Sequence, residues 1–458
     1  MLSSRDKAKF PVTPHPDPSA SWDDENELTE TMRLYAAPNR EEAVAGEGRK
    51  EDYFEGGERL VAIKLGVSCV KWNSRGTILA AGYLVPGRHG GWCSHKGLVW
   101  VWNSAGREEK PQSFETEGCV TAIGFHPTSP LGLVAGSFNG QLMLMDLEKA
   151  DPFVYTTPVD EYFHREAISQ LTWIDSPSGP QLFSVSADSK VLQWDAHLRF
   201  PLRGFLITAG EGGLCLASPL DDYGTVLIGT ESGAVLKGTI GQIQTEKAVV
   251  ESGKWKAEAE LILNNVKSRH EIKTLTERYA VDTGKRDIDP ACIYAAKPEL
   301  KRLYGAPFSF PYERHDGPVL AVATNPFHRH LFATGSTDGT VHIHHLLLSR
   351  SIAVLEPADR CPIGALFWSL SRPLVLYIGA GDGSVYVYDL GLSLGKWVQK
   401  IQGEGRDMVV SLAGNRGNRG VIAVGYAAGE VRIIKLGRNL TQLQPDDLRK
   451  LSSFLSLT

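Results

Sequence analysis

Short apolar stretches separated by tight turns recur along the chain at nearly constant intervals. Leu142-Met143-Leu144-Met145-Asp146, Val191-Leu192-Gln193-Trp194-Asp195 and Val385-Tyr386-Val387-Tyr388-Asp389 each follow a turn, at Asn139-Gly140, Asp188-Ser189 and Asp382-Gly383. Other runs, such as Leu374 to Ile378, are apolar throughout and precede a glycine; Gly136, Gly229, Gly335, Gly379 and Gly425 all hold that place. Alternation over Val385 to Asp389 turns one strand face toward a neighbouring sheet, while the unbroken runs predict strands buried on both faces. A four-stranded unit of this kind cannot bury both faces alone. The pattern therefore predicts an all-β chain whose units stack round a closed ring, a β-propeller.

Seven units can be traced, with six or eight kept open because the fourth is irregular. They run from Val61 to about Phe114, Cys119 to Asp146, Ile168 to Asp195, Gly213 to Gly238, Val319 to His344, Gly364 to Asp389 and Val409 to Ile434. Seven blades at roughly 40 residues each consume about 300 residues. Between the fourth and fifth units, residues 241–312 form a polar insertion read as partly helical, with a return strand near Phe308 to Phe310 that completes the fourth blade. Closure is expected from Arg59 to Lys64, added to the seventh sheet. The domain reading is an N-terminal extension over 1–57, a propeller over 58–437 and a C-terminal tail over 438–458.

The extension lies outside the repeat. Pro11, Pro14, Pro16 and Pro18 break regular structure, and Asp24 to Tyr35 is expected to form a short helix with Leu28, Met32 and Tyr35 as one apolar stripe. Having no core of its own, the stripe reads as a partner-binding arm, against a disordered tail as the alternative.

Composition narrows the function. A formal net charge of −5 gives no bulk attraction to nucleic acid or anionic lipid. The six cysteines show no CxxC pair; Cys69, Cys119 and Cys361, at strand-like positions, read as buried thiols, and a reducing compartment is expected. Neither a signal peptide nor an apolar run long enough to cross a membrane is visible.

Chemical motifs fall away on inspection. Val61-Ala62-Ile63-Lys64 matches a kinase strand, but no GxGxxG loop precedes it and neither His-Arg-Asp nor Asp-Phe-Gly follows. His342 and His344 share a strand face and make half a zinc site, which no cysteine or carboxylate at matching spacing completes. Asp188, Asp338 and Asp382 sit at turn positions where a carboxylate caps backbone N–H groups. The expectation is a non-enzyme with no catalytic residues, cofactor or metal.

Longer stretches carry a more specific resemblance. Val70 to Gly76, Ala122 to Thr128, Leu182 to Trp194, Asn325-Pro326-Phe327-His328-Arg329-His330-Leu331-Phe332, Gly335 to His342 and Trp368 to Val375 resemble, in order and spacing, the WD-repeat dynein intermediate chains. Within that family the likeness is to the shorter dynein-2 subunit and covers roughly residues 60 to 437.

The resemblance implies a seven-bladed WD-repeat β-propeller that acts as a scaffold in the dynein-2 motor of retrograde intraflagellar transport. The implied partners are the dynein-2 heavy chain, the second dynein-2 intermediate chain in a heterodimer, and intraflagellar transport trains. Roadblock-type and Tctex-type light chains, and the small dimeric light chain, are implied for residues 1–57. No Thr-Gln-Thr anchor for the small dimeric chain is present there, and a roadblock-type chain suits Leu28, Met32 and Tyr35 better. The implied location is the cytoplasm, cytoskeleton, cilium or flagellum and ciliary base. Contact candidates are Arg88, His89 and Trp92 in the first-blade loop, Arg329 and His330 before the fifth, and Arg372 before the sixth. The alternative for Arg372 is a blade-corner cap. The alternative function is a WD-repeat adaptor or substrate receptor of another complex.

Overall fold

The computed structural model describes residues 29–36, 40–45, 58–239, 303–304 and 308–456, less 88, 90, 105–110, 160–162, 178, 195–197, 199–200, 208–210, 223, 404 and 406. Seven antiparallel blades are arranged in a ring. Their first strands are Gly66–Trp72, Val120–Phe125, Ile168–Ile174, Gly213–Ala217, Val319–Thr324, Ile363–Trp368 and Val409–Gly414. Each touches the first strand of the next blade, and the seventh touches the first, so the circle is complete.

The apolar runs occupy the places their pattern requires. Val375–Ala380 and Val421–Tyr426, second strands of the sixth and seventh blades, are buried along their whole length. The glycines after such runs are demanded by the neighbouring blade. A Cβ on Gly425 would come within 2.6 Å of Val70 Cγ2, and one on Gly379 would collide with Val409. These positions need the space of a missing side chain so that adjacent sheets can pack.

The fourth blade resolves as anticipated: Phe308–Pro311 returns after the insertion and pairs antiparallel with Val235–Thr239. Leu303–Tyr304 adds a parallel pairing to the outer strand of the third blade, Pro201–Leu206. The partly helical reading of the insertion falls mainly on residues 241–302, outside the described residues.

Two expectations about the N-terminal region are corrected. Thr29–Ala36 is a strand, not part of a helix, and it closes the ring by pairing antiparallel with Glu430–Lys435, the third strand of the seventh blade. Glu58–Ile63 does not close it; it pairs with Arg40–Ala45 in a separate two-stranded ribbon. The helical spacing of three apolar residues is a weak signal beside an open sheet edge, whose unpaired N–H and C=O groups are satisfied by a fourth strand. The sequence Thr-Glu-Thr-Met-Arg-Leu-Tyr-Ala also holds two threonines and a tyrosine, residues at home on a pleated surface.

At the other end, two helices follow the last blade: α1 (Arg438–Thr441) and α2 (Asp447–Leu455). Leu451 and Phe454 of α2 enter the core of the sixth blade, beside Leu374, Tyr388 and Leu390.

Candidate functional site

The turn aspartates cap backbone groups as their position suggests. Asp188, Asp338 and Asp382 accept the N–H of Lys190, Thr340 and Ser384 at 3.1, 2.8 and 2.9 Å. In the third blade, Asp188 does more. His164 Nδ1 lies 3.1 Å from its carboxylate, His164 Nε2 lies 2.7 Å from Ser184 Oγ, and the Trp194 indole N–H donates to the same oxygen at 2.8 Å. Ser, His and Asp thus stand in the order of a nucleophilic triad. However, Ser184, His164 and Trp194 are fully buried and the serine oxygen is already shared, so the chain pins one strand to the next instead of meeting a substrate. Burial raises the Asp188 pKa, but the His164 hydrogen bond and charge outweigh it and hold the carboxyl down at about 2.

The fifth blade repeats this network with one exchange. Asp338 lies 3.3 Å from His315 Nδ1, His315 Nε2 lies 2.8 Å from Thr334 Oγ1, and His344 Nε2, in the place of the tryptophan, lies 3.0 Å from that hydroxyl. His164 and His315 were missed in the sequence because each lies in the turn entering its blade. The findable signal was the shared spacing Ser184-x3-Asp188-x5-Trp194 and Thr334-x3-Asp338-x5-His344.

A pH dependence follows. Burial first, then the neighbouring His342, lowers the His315 pKa to about 4 against the opposing pull of Asp338; burial with His342 and His315 pushes His344 well below its usual value. Between about pH 6.5 and 4 the unfolded chain therefore binds protons that the folded blade does not. The stability present above about 6.5 should be lost as pH falls through this window, with a slope of up to about 1.4 kcal/mol per pH unit for each histidine. Denaturant midpoints measured across the window check this. His344→Trp, which restores the arrangement of the third blade, should flatten the slope, and an unchanged slope would refute the assignment.

Arg372 is corrected as a contact candidate. It is only 2% exposed, and its guanidinium lies 2.9 Å from Asp389 and makes bonds of 2.9 and 2.7 Å to the two carboxylate oxygens of Asp447. It also donates to the Asn439 carbonyl at 3.1 Å. Its role is to clamp the C-terminal helices onto the sixth blade, where a partner cannot reach it.

The remaining candidates separate onto opposite faces of the ring. Trp92 is 58% exposed and His89 half-buried in the loop joining the second and third strands of the first blade. Exposed Arg329 and half-buried His330 lie in the turn joining the first and second strands of the fifth, which opens on the other face. That second face also holds a cavity of about 440 Å³ at the channel mouth, lined by Trp173, Asp222, Asn325, Trp368 and Arg416 among others. Leu347, 60% exposed, lies on the same face in the fifth blade's third turn. Met32 and Tyr35 fall on the closing strand; Leu28 and Arg88 lie outside the described residues.

Ring, blade count and polar networks together define a WD-repeat β-propeller, an architecture that serves as a non-catalytic scaffold. The family profile for the WD domain, G-beta repeat, matches residues 308–345, from the last strand of the fourth blade through the third strand of the fifth. Within that class the chain is related to dynein intermediate chains. It is 27% identical over 418 residues to cytoplasmic dynein 2 intermediate chain 2 of Homo sapiens, covering 84% of this chain and 68% of that protein; the Mus musculus protein is 28% identical over the same length. The 70 kDa intermediate chain of the flagellar outer arm dynein of Chlamydomonas reinhardtii is 21% identical over 355 residues, covering 76% of this chain and 51% of that one.

Proposed function

We propose that this chain is a non-catalytic intermediate chain of the dynein-2 motor, holding heavy and light chains together for retrograde intraflagellar transport. The observation that carries the reading is the similarity to dynein 2 intermediate chains across 84% of the chain, far beyond a single repeat signature. In this reading the rigid ring binds the heavy-chain tail, a second and longer intermediate chain completes a heterodimer, and the cilium and its base are the sites of action. Residues 29–36 are committed to the ring, so roadblock-type and Tctex-type light chains are assigned to the rest of residues 1–57. Affinity purification of the tagged full chain from ciliated cells, with mass spectrometry, should recover the dynein-2 heavy chain and light chains. Recovery of an axonemal heavy chain or a ubiquitin ligase core would overturn the reading.

The heavy-chain surface is assigned to the face that carries exposed Arg329 and Leu347 and on which the channel-mouth cavity opens. Arg329→Glu with Leu347→Asp should reduce heavy-chain recovery at least about tenfold, the loss of roughly 1.4 kcal/mol, while the melting temperature stays near that of the unaltered chain. Trp92→Ala, on the opposite face, should leave recovery unchanged. The reverse pattern would move the contact to the first-blade loop.

A further inference from the structure

We propose that His89, Cys93, His95 and Cys119 form a structural zinc site that staples the first-blade loop to the start of the second blade. One ligand atom from each of the four lies within 4.8 Å of every other. Cys93 Sγ and His95 Nδ1 are 3.7 Å apart, close to the roughly 3.5 Å set by two tetrahedral bonds of about 2.3 Å to sulfur and 2.0 Å to nitrogen. Two thiolates and two imidazoles are the donor set that zinc takes in closed structural sites. The sequence hid it, since no CxxC pair is present and Cys119 comes 26 residues after Cys93.

The surroundings are those of a built site. The Val85 N–H donates to Cys119 Sγ at 3.3 Å, and the Cys119 N–H points at Cys93 Sγ at 3.5 Å. Such N–H···S contacts stabilise a thiolate and orient it toward a metal. Asn139, buried in a turn of the second blade, grips Cys93 at two points: its Oδ1 accepts the Cys93 N–H and its Nδ2 donates to the Cys93 carbonyl, each at 2.8 Å. The His89 ring stacks on Phe138 with centroids 4.2 Å apart, and its Nε2 is buried with no hydrogen-bond partner. A Cβ on Gly97, just beyond the loop, would collide with the Gly118 carbonyl, which shows how closely the two blades approach here.

The other histidine group, His315, His342 and His344, is a poorer candidate although its ligand atoms lie equally near one another. Both His315 nitrogens and His344 Nε2 are already engaged with Thr334, Thr340 and Asp338. Zinc binding at the first-blade loop displaces one proton from each thiol, two per ion, and leaves both sulfurs bonded to the metal. No oxidant or reductant is needed.

The test uses the full chain purified without a polyhistidine tag or chelator. Elemental analysis should find one zinc per chain. After removal of the metal, added Co²⁺ should give the strong visible bands of a tetrahedral site with thiolate-to-cobalt charge transfer in the near ultraviolet. His89→Gln, at a half-buried position where the fold is expected to survive, should weaken cobalt binding by more than about a hundredfold, exceeding the usual effect of an outer-shell change. Cys93→Ser with Cys119→Ser should abolish the charge-transfer band. His342→Gln should keep the zinc. A metal-free chain with no tetrahedral cobalt spectrum, a Cys93–Cys119 disulfide in the freshly purified protein, or zinc lost through His342→Gln but kept in His89→Gln would each overturn the proposal.

Discussion

Deleting residues 1–36 should lower the stability of the ring by several kcal/mol and promote association between copies of the chain. The deletion removes Thr29–Ala36 and with it the pairing from Thr29↔Lys435 to Ala36↔Glu430. Each backbone hydrogen bond contributes only about 0.5–1.5 kcal/mol net, yet the whole strand is lost together and a folded domain holds only about 5–15 kcal/mol in all. The larger consequence is kinetic and colloidal. Glu430–Lys435 becomes an open edge with two neighbouring strands behind it, a ready template for another chain. Met32→Pro, which removes an N–H and stiffens the middle of the strand, should reproduce most of the effect. Leu60→Pro, in the ribbon formed by Arg40–Ala45 and Glu58–Ile63, should not. Thermal melting and light scattering on the three variants decide the matter: equal damage from Leu60→Pro, or none from Met32→Pro, would contradict closure by the N-terminal strand.

What the sequence revealed follows the range over which its signals act. Blade strands announce themselves because alternation and the glycine after each apolar run are local features, and they hold even for Phe308–Pro311 after a long insertion. The closing strand is different, since Thr29–Ala36 becomes a strand by virtue of an edge some 400 residues away. Its own residues carry a competing helical spacing. The same distance problem hid the meaning of Arg372. An Arg-Pro pair at a blade corner looks exposed until Asp447, 75 residues later, folds back over it. His164 and His315 were hidden for another reason: they stand in irregular turns, where no periodicity points inward, and only the contact with Asp188 or Asp338 gives them a role. The first-blade loop combines both difficulties, because Cys119 joins His89, Cys93 and His95 only once two blades are packed together.

Replacing Arg372 by alanine should cost about 3–5 kcal/mol, because it leaves the buried carboxylates of Asp389 and Asp447 facing each other without a counter-charge. Arg372→Lys should recover part of this, restoring charge but not the two-pronged grip on Asp447. The triple change Arg372→Met, Asp389→Asn, Asp447→Asn should recover more, since removing a buried ionic cluster entirely is less costly than breaking it. The damage should begin at α2, whose Leu451 and Phe454 cover the sixth blade, so hydrogen exchange there should accelerate before exchange elsewhere in the ring. Acid should loosen the same contact. Burial raises the Asp447 pKa but the Arg372 hydrogen bond lowers it further, leaving the folded value below the ordinary one. The contribution is therefore present above the unfolded value of about 3.9 and disappears as pH falls through the depressed folded value. This lies below the histidine window of the fifth blade, so the two can be told apart in one titration: loss of α2 protection at the higher pH, together with the fifth blade, would show that Arg372 and Asp447 do not act as a separate clamp.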